Sequence, residues 1–303
     1  MNYSVTVLIP AQGKSPFISE TLLSIEGNSL LPHEILIIDD GLTESALSTI
    51  KQFYARLPIK LKKNSGSGLV DALNTGLKVA SAEFICRIDG DDLMKPERIT
   101  TQLRSLQSNK QLVAVGSQCV YIDENSLEIG FSKYPVGMLN SKPEFKNKCL
   151  IAHPSTMYCL DSAFSIGGYR SLFKWNGTDI AEDYDFWIRL SRVGQIEITN
   201  DFLTKYRQHR NQISSKSVCG QILGTPYISA IHRKDGESSP IQIEFRDNQS
   251  LLSDYYFSVI RTRLGWRVYS VCKLTLLEVR FPKWLSQSFF GKVLRRIINL
   301  LNR

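Results

Sequence analysis

Apolar positions in the first hundred residues follow two periods. Residues 5–9 and 35–38 are unbroken apolar or β-branched runs, and residues 84–88 form a third run interrupted only by Arg87. Short continuous runs of this kind suit strands buried on both faces. Between them, apolar residues recur every three or four positions: Ile18, Leu22 and Ile25; Leu47, Ile50 and Tyr54; Leu69, Leu73 and Leu77; Ile99, Leu103 and Leu106. Each set makes one face of an amphipathic helix. Ser15 and Pro16 suit the start of the first helix, and Pro96 opens the fourth. Residues 59–61 add a short strand. The resulting order, β-α-β-α-β-α-β, predicts an α/β fold with a Rossmann-like, largely parallel central sheet flanked by helices.

Beyond residue 110 the pattern is less regular. Strands are expected at 113–116, 119–122 and 153–158, with a loop over 130–150 and a turn at Gly167 and Gly168. A helix is expected from residue 181, with Glu182, Asp183 and Asp185 in its first turn, where acids complement the helix dipole. Residues 204–210 follow a further strand, and 234–240 read as a linker. Three segments result: 1–110, 111–215 and a basic, helical extension at 216–303.

The net charge of +8 changes the picture through its placement. Residues 251–303 carry ten Lys/Arg and two acids, so the rest of the chain is neutral. A nucleic-acid footprint spread over the fold is therefore not expected. Within 284–303, Phe289, Phe290, Val293, Leu294, Ile297, Ile298 and Leu301 share half of a helical wheel, with Lys292, Arg295 and Arg296 opposite. Such a segment suits an anionic membrane surface, or docking on the protein's own core. Six scattered cysteines show no metal spacing and suit reduced thiols. No signal peptide and no apolar run of spanning length are read from the sequence.

The chemistry gathers at strand ends. The run ending at Ile88 stops in Asp89, Gly90, Asp91 and Asp92. Crowded carboxylates repel one another, and a hard divalent cation held by oxygen ligands is the usual counter-charge. A second acid pair, Asp39 and Asp40, closes the run at 35–38. In open α/β sheets, ligands bind beyond the carboxyl ends of the strands, so the two clusters are expected along one edge. The loop from Asn64 to Gly68 lacks the Gly-Lys-Ser/Thr of a phosphate-binding loop.

Taken together, these residues resemble the family 2 glycosyltransferases with the GT-A fold. The resemblance covers residues 3–215. It rests on residues 5–10; on Ile38, Asp39, Asp40 and Gly41; on Ala72, Leu73, Asn74 and Gly76; on Asp89, Gly90, Asp91 and Asp92; and on Glu182, Asp183, Tyr184, Asp185, Phe186 and Trp187. The sequence departs from the family where Gln12 and Gly13 replace a favoured tyrosine and asparagine, and where Leu42, Thr43 and Glu44 follow Gly41.

The resemblance implies inverting transfer of a sugar from a nucleotide diphosphate donor, UDP-linked in most members, to a glycan or lipid-linked acceptor. Residues 1–110 would then be the nucleotide-sugar half and 111–215 the acceptor half. Pro10, Gln12, Asp39 and Asp40 would border the nucleoside, Asp71 and Asn74 would lie near it, and Asp89, Gly90 and Asp91 would form the D-x-D element. Mg²⁺ or Mn²⁺ would be held by Asp91 or Asp92, with His209 near the metal or diphosphate. Asp183, with Glu182 as the alternative, would be the general base. From the residues themselves, Arg207 and Arg210 suit either screening of phosphate charge or a solvated surface, and His153 suits either the acceptor side or packing. By analogy the setting is cell-surface polysaccharide or lipopolysaccharide synthesis, in the cytoplasm and peripheral on the cytoplasmic face of the inner membrane. A metal-dependent nucleotidyltransferase and a non-enzymatic basic membrane-surface protein are the competing readings.

Overall fold

The structure is a computed structural model that describes residues 4–209, 212, 218–233 and 243–245. The linker at 234–240 and the amphipathic segment at 284–303 lie outside the described residues. The elements run β1 (Val5–Gly13), α1 (Ile18–Glu26), β2 (Glu34–Leu42), α2 (Glu44–Lys51), β3 (Ile59–Lys63), α3 (Leu69–Val79), β4 (Phe84–Arg87), β5 (Leu93–Met94), α4 (Arg98–Ser108) and β6 (Leu112–Ile122). There follow β7 (Glu128–Phe131), β8 (Gly137–Met138), β9 (Met157–Cys159), α5 (Leu160–Ser165), β10 (Phe173–Trp175), β11 (Thr178–Asp179), α6 (Glu182–Leu190), β12 (Gln195–Arg207), α7 (Val218–Arg233) and β13 (Ile243–Phe245).

The main sheet has the order β3-β2-β1-β4-β9-β6-β12-β5, with β7 on β6 and β8 on β12. β3, β2, β1 and β4 are mutually parallel, as the alternating pattern predicts. β9 then enters antiparallel between β4 and β6. β6 and β12 are parallel to each other, and β5 closes the edge antiparallel. The sheet is therefore mixed, with its parallel character concentrated in the N-terminal half.

Both faces of β1 and β2 are covered. Val7, Ile9, Ile35 and Ile37 pack with α1, α2 and α4, whereas Leu8, Leu36 and Ile38 pack with α3 and the helices of the second half. Because strand side chains alternate in direction, two covered faces require the continuous apolar runs seen in the sequence.

Several boundaries differ from the pattern-based expectation. β2 does not close before Asp39 and Asp40 but runs through them to Leu42. Tyr54 is not on the α2 face; the helix ends at Lys51, and Tyr54 is exposed. The strands expected at 113–116 and 119–122 are one strand, β6. Residues 153–158 are not one strand, because His153–Ser155 makes a 3₁₀ turn with Pro154 in its first turn and β9 begins only at Met157. Residues 204–207 are the end of the 13-residue β12 rather than a segment after it.

Where β9 breaks the parallel run, buried polar side chains satisfy the backbone. Arg98 Nη2 donates to the carbonyls of Arg87 (2.6 Å) and Thr156 (3.1 Å). Gln102 Nε2 donates to the Ser155 and Val115 carbonyls at 2.7 and 3.3 Å. Without Arg98 the Arg87 carbonyl, at the end of β4 and just before the acid cluster, would lose its donor, at a cost of about 1–3 kcal/mol.

Candidate active site

The turn after β4 places Asp89, Asp91 and Asp92 so that one ligand atom from each lies within 4.8 Å of the others. Arg87, at the end of β4, is buried and its Nη1 reaches Asp89 Oδ2 at 2.5 Å. Burial pushes the Asp89 carboxyl up, Arg87 pulls it back, and Asp91 pushes it up again. Asp92 is more extreme. Burial, then the charges of Asp91 and Asp89, hold it well above the usual carboxylate range. Its Oδ1 accepts the Arg207 N–H at 2.7 Å, but its buried Oδ2 has no partner among the described residues. Three converging carboxylates, one with an orphaned buried oxygen, match the all-oxygen set that a divalent metal takes.

His209, just past β12, brings Nε2 to 2.9 Å from Asp91 Oδ2. That contact orients Asp91, as groups beside a metal ligand commonly do. The phosphate-screening role expected of Arg207 is not what the structure shows. Its guanidinium is buried, pairs with Glu20 at 2.9 Å, and donates to the carbonyls of Asp91, Asp123 and Glu124. It also lies 4.2 Å over the Phe17 ring. Arg207 thus ties β12 to the acid turn. Arg210 lies outside the described residues.

Glu182 and Asp183 open α6. The residue before them, Ala181, has φ +59°, a left-handed conformation uncommon for a residue with a Cβ. Asp183 Oδ1 accepts the Tyr184 N–H at 2.7 Å, and its Oδ2 lies 3.9 Å from Cys149 Sγ. Burial raises both carboxyls. Glu182 is held well above its ordinary range, with Asp183 adding to the shift. Asp183 is raised too, but the Tyr184 N–H and Arg87 favour its charged form. His153 is buried, with Nε2 2.8 Å from Tyr169 Oη and Nδ1 3.9 Å from Glu182 Oε1. Burial, and then Arg87, hold its pKa well below the usual range, so it is neutral.

A single cavity of about 1130 Å³ joins these groups. Its lining includes Pro10, Gln12, Asp89, Gly90, Asp91, His153, Glu182, Asp183 and His209. Asp92 stands behind this wall, buried. Asp39, Asp40, Asp71 and Asn74 do not line the cavity. Asp39 Oδ1 accepts the Gly41 and Leu42 N–H groups at 2.9 and 2.6 Å. Asp40 is bonded by Asn64 Nδ2 at 2.8 Å and by the Gly68 N–H at 3.0 Å. Asp71 accepts the Ser67 N–H, and Asn74 exchanges two hydrogen bonds with the Tyr169 backbone, at 2.8 and 2.9 Å. These four side chains brace the loop and helix beside the site.

The cavity also gathers residues that the sequence did not single out for it: Arg87, Lys14, Cys149, Asp179 and the tyrosines Tyr121, Tyr134 and Tyr206. Arg87 carried a signal, since a lone charge inside a buried strand needs a partner. The tyrosines and Asp179 carried none; only the fold brings them together.

The mixed sheet, its covering helices and an acid turn at the end of a central strand define a glycosyltransferase of the GT-A fold. The chain belongs to glycosyl transferase family 2, whose profile matches residues 6–166. An uncharacterized glycosyltransferase of Haemophilus influenzae is 30% identical over 221 residues, covering 70% of this chain and 67% of that protein. The UDP-Gal:alpha-D-GlcNAc-diphosphoundecaprenol beta-1,3-galactosyltransferase of Escherichia coli is 30% identical over 192 residues, covering 62% of this chain and 66% of that enzyme. Among solved structures, the Pyrobaculum calidifontis mannosyltransferase in complex with GDP-Man and Mn²⁺ superposes with a TM-score of 0.60 at 15% identity, covering 99% of this chain and 86% of that one. Family membership selects the transferase reading over the nucleotidyltransferase and the binding protein. Among the described residues, no helix is long and apolar enough to cross a membrane.

Proposed function

We propose that this glycosyltransferase moves a sugar, with inversion, from a UDP-linked donor to a hydroxyl of a glycan or lipid-linked acceptor in cell-surface polysaccharide or lipopolysaccharide synthesis. The observation that carries the reading is the cavity itself, lined both by Asp89 and Asp91 from the turn after β4 and by Glu182 and Asp183 from the start of α6. Two carboxylate groups from separate elements suit the division of labour an in-line displacement needs, one for the leaving group and one for the acceptor proton. The galactosyltransferase of Escherichia coli, with its UDP-linked donor and diphosphoundecaprenol acceptor, supports the donor and acceptor classes.

Asp183 is the general base in this reading. A carboxylate raised above its free pKa is a better match to neutral pH than an ordinary aspartate. Burial raises both carboxyls, and the Tyr184 N–H and Arg87 favour the anion of Asp183, which takes the proton of the acceptor hydroxyl. Neutral His153 fixes Tyr169 and adds no charge beside the pair. At the other end, Asp89, Asp91 and Asp92 would hold Mg²⁺ or Mn²⁺, which when bound supplies Lewis-acid stabilisation to the departing diphosphate. His209 holds Asp91 in place for that ion. Pro10 and Gln12 border the nucleoside, and Asp39 and Asp40 set the backbone around it. Residues 1–110 and 111–215 then serve donor and acceptor, and the basic segment at 284–303 brings the enzyme to an anionic membrane on the cytoplasmic side.

The test is nucleotide release by the full chain, with Mg²⁺ or Mn²⁺, against UDP-sugars and GDP-mannose, without and with a diphosphoundecaprenol-linked sugar. UDP release stimulated by the acceptor and abolished by chelation is expected. Pyrophosphate as the product, or no metal dependence, would overturn the reading.

A further inference from the structure

Asp179, the last residue of β11, is a carboxylate that neither the acid turn nor the α6 pair uses. It is 4% exposed and lines the cavity. One oxygen is accounted for within the fold: Oδ1 accepts the Ser171 hydroxyl at 2.5 Å and lies 3.7 Å from Lys174 Nζ, contacts that clasp β11 to β10 and the turn before it. The other oxygen, Oδ2, has no hydrogen-bond partner among the described residues. It lies over Gly68, where a Cβ would stand 3.7 Å away.

The position of Oδ2 says what it meets. Gly68 precedes α3, its N–H is bonded to Asp40 at the end of β2, and the next residue, Leu69, lines the cavity, so this side of Asp179 adjoins the wall beside the parallel strands. On the other side, Asp179 stands three residues before Glu182, on the chain that leads into α6. A group held between these walls lies between the nucleotide and the base, which is where the sugar in transit sits. Gly68 has φ +84° and no side chain, so nothing of its own fills the space above the carboxylate.

We infer that Asp179 is a specificity-determining residue whose Oδ2 accepts a hydrogen bond from a ring hydroxyl of the sugar being transferred. The inference rests on the nucleotide-sugar donor proposed above and adds which residue reads the sugar. A carboxylate oxygen at the cavity wall, on a residue only 4% exposed, is a demanding reader. Once the sugar displaces water from the cavity, a donor lacking the matching hydroxyl leaves this oxygen unpaired, which discriminates far more strongly than a change of shape in an apolar pocket.

The experiment is a double-mutant cycle on the full chain. UDP-glucose, UDP-galactose and their N-acetylamino counterparts are assayed for metal-dependent UDP release, and the best donor is compared with its 3-, 4- and 6-deoxy forms. In the wild-type enzyme, one deoxygenation is expected to lower kcat/KM by about 10- to 100-fold. In Asp179→Asn, which keeps an oxygen for Ser171 but turns the other atom into a donor, and in Asp179→Ala, that one penalty shrinks to a few-fold while the others stay. Inhibition by UDP, which has no sugar, is unchanged. The inference is overturned if the penalty is the same in wild type and variants, or if no single deoxygenation costs the wild-type enzyme more than about threefold; the second result needs no variant to fold. A chain that turns over none of these donors overturns the donor reading instead, and this one with it.

Discussion

At the residue scale, the site is a set of carboxyls whose charges are sorted by their surroundings. Asp183→Asn removes the proposed base and leaves the acid turn intact. Its turnover is expected to fall by about 10²- to 10⁴-fold, while the rise in melting temperature given by UDP with Mn²⁺ persists. Loss of that thermal shift together with turnover would point to a structural role. The raised pKa of Asp183 also fixes the sign of the pH response. Its active form is the anion, so kcat/KM rises with pH and its acid limb lies above the range of an ordinary aspartate. An acid limb at or below the free-aspartate value of about 3.9 would contradict the assignment.

The acids at 89–92 and 182–183 were legible in the sequence because charge at the end of an apolar run, or massed in one helical turn, stands out against its period. Their partners were not. Arg207 reaches Asp92 across 115 positions and His209 reaches Asp91 across 118, and no spacing rule spans such separations. Local reading left Arg207 between phosphate screening and a solvated surface, since nothing in its neighbours shows that its guanidinium is enclosed by carbonyls.

At the scale of elements, two contacts decide how the N-terminal half is built. Gly76 lies on the face of α3 that rests on β1, and a Cβ there would meet Leu8 Cδ1 at 2.3 Å. Gly76→Ala would gain about 1 kcal/mol in helix propensity but costs about 1–3 kcal/mol in overpacking, so net destabilisation in a urea titration is expected. The apolar stripe of α3 was readable; the need for a small residue within it was not, because it depends on the distance between helix and sheet.

The second contact is Glu34, buried at the start of β2. It accepts from Thr6 on β1 at 2.6 Å, from Lys60 on β3 at 2.7 Å and from the Ser81 N–H at 2.8 Å. Burial pushes its pKa up, but Lys60, the Ser81 N–H and Thr6 outweigh this and bring it down to about 2. The unfolded chain protonates at a higher pH than the folded one, so the stabilisation is complete above the unfolded pKa and is lost as pH falls towards 2. Glu34→Gln should therefore lower the melting temperature clearly at pH 7 and by a shrinking amount between pH 5 and pH 2. A difference that stays constant over that window would count against the ion pair.

At the scale of the molecule, Asp185 joins the helices of the second half. Fully buried on α6, it is reached by Arg170 at 2.5 and 3.0 Å, by Arg189 at 2.8 and 2.9 Å, and by His232 of α7 at 2.8 Å. Burial alone would raise its pKa; His232, Arg170 and Arg189 together hold it well below the usual carboxylate range. Asp185→Asn leaves two arginines facing a neutral group, and a loss of about 3–5 kcal/mol in chemical denaturation is expected. In the sequence Asp185 is one more acid in a helix's first turn; only the packing of α7 against α6 separates its task from that of Asp183, two residues earlier.

The antiparallel β9, set between β4 and β6, has a mechanical consequence. Because it bonds to both neighbours, the strand that ends in the acid turn and the long strands of the second half belong to one continuous hydrogen-bonded plate. Such a plate cannot fold about a crease at its middle without breaking ladder bonds. The acid turn after β4 is thus held at one place relative to β6 and β12, and the register of β9 on its two neighbours sets that place.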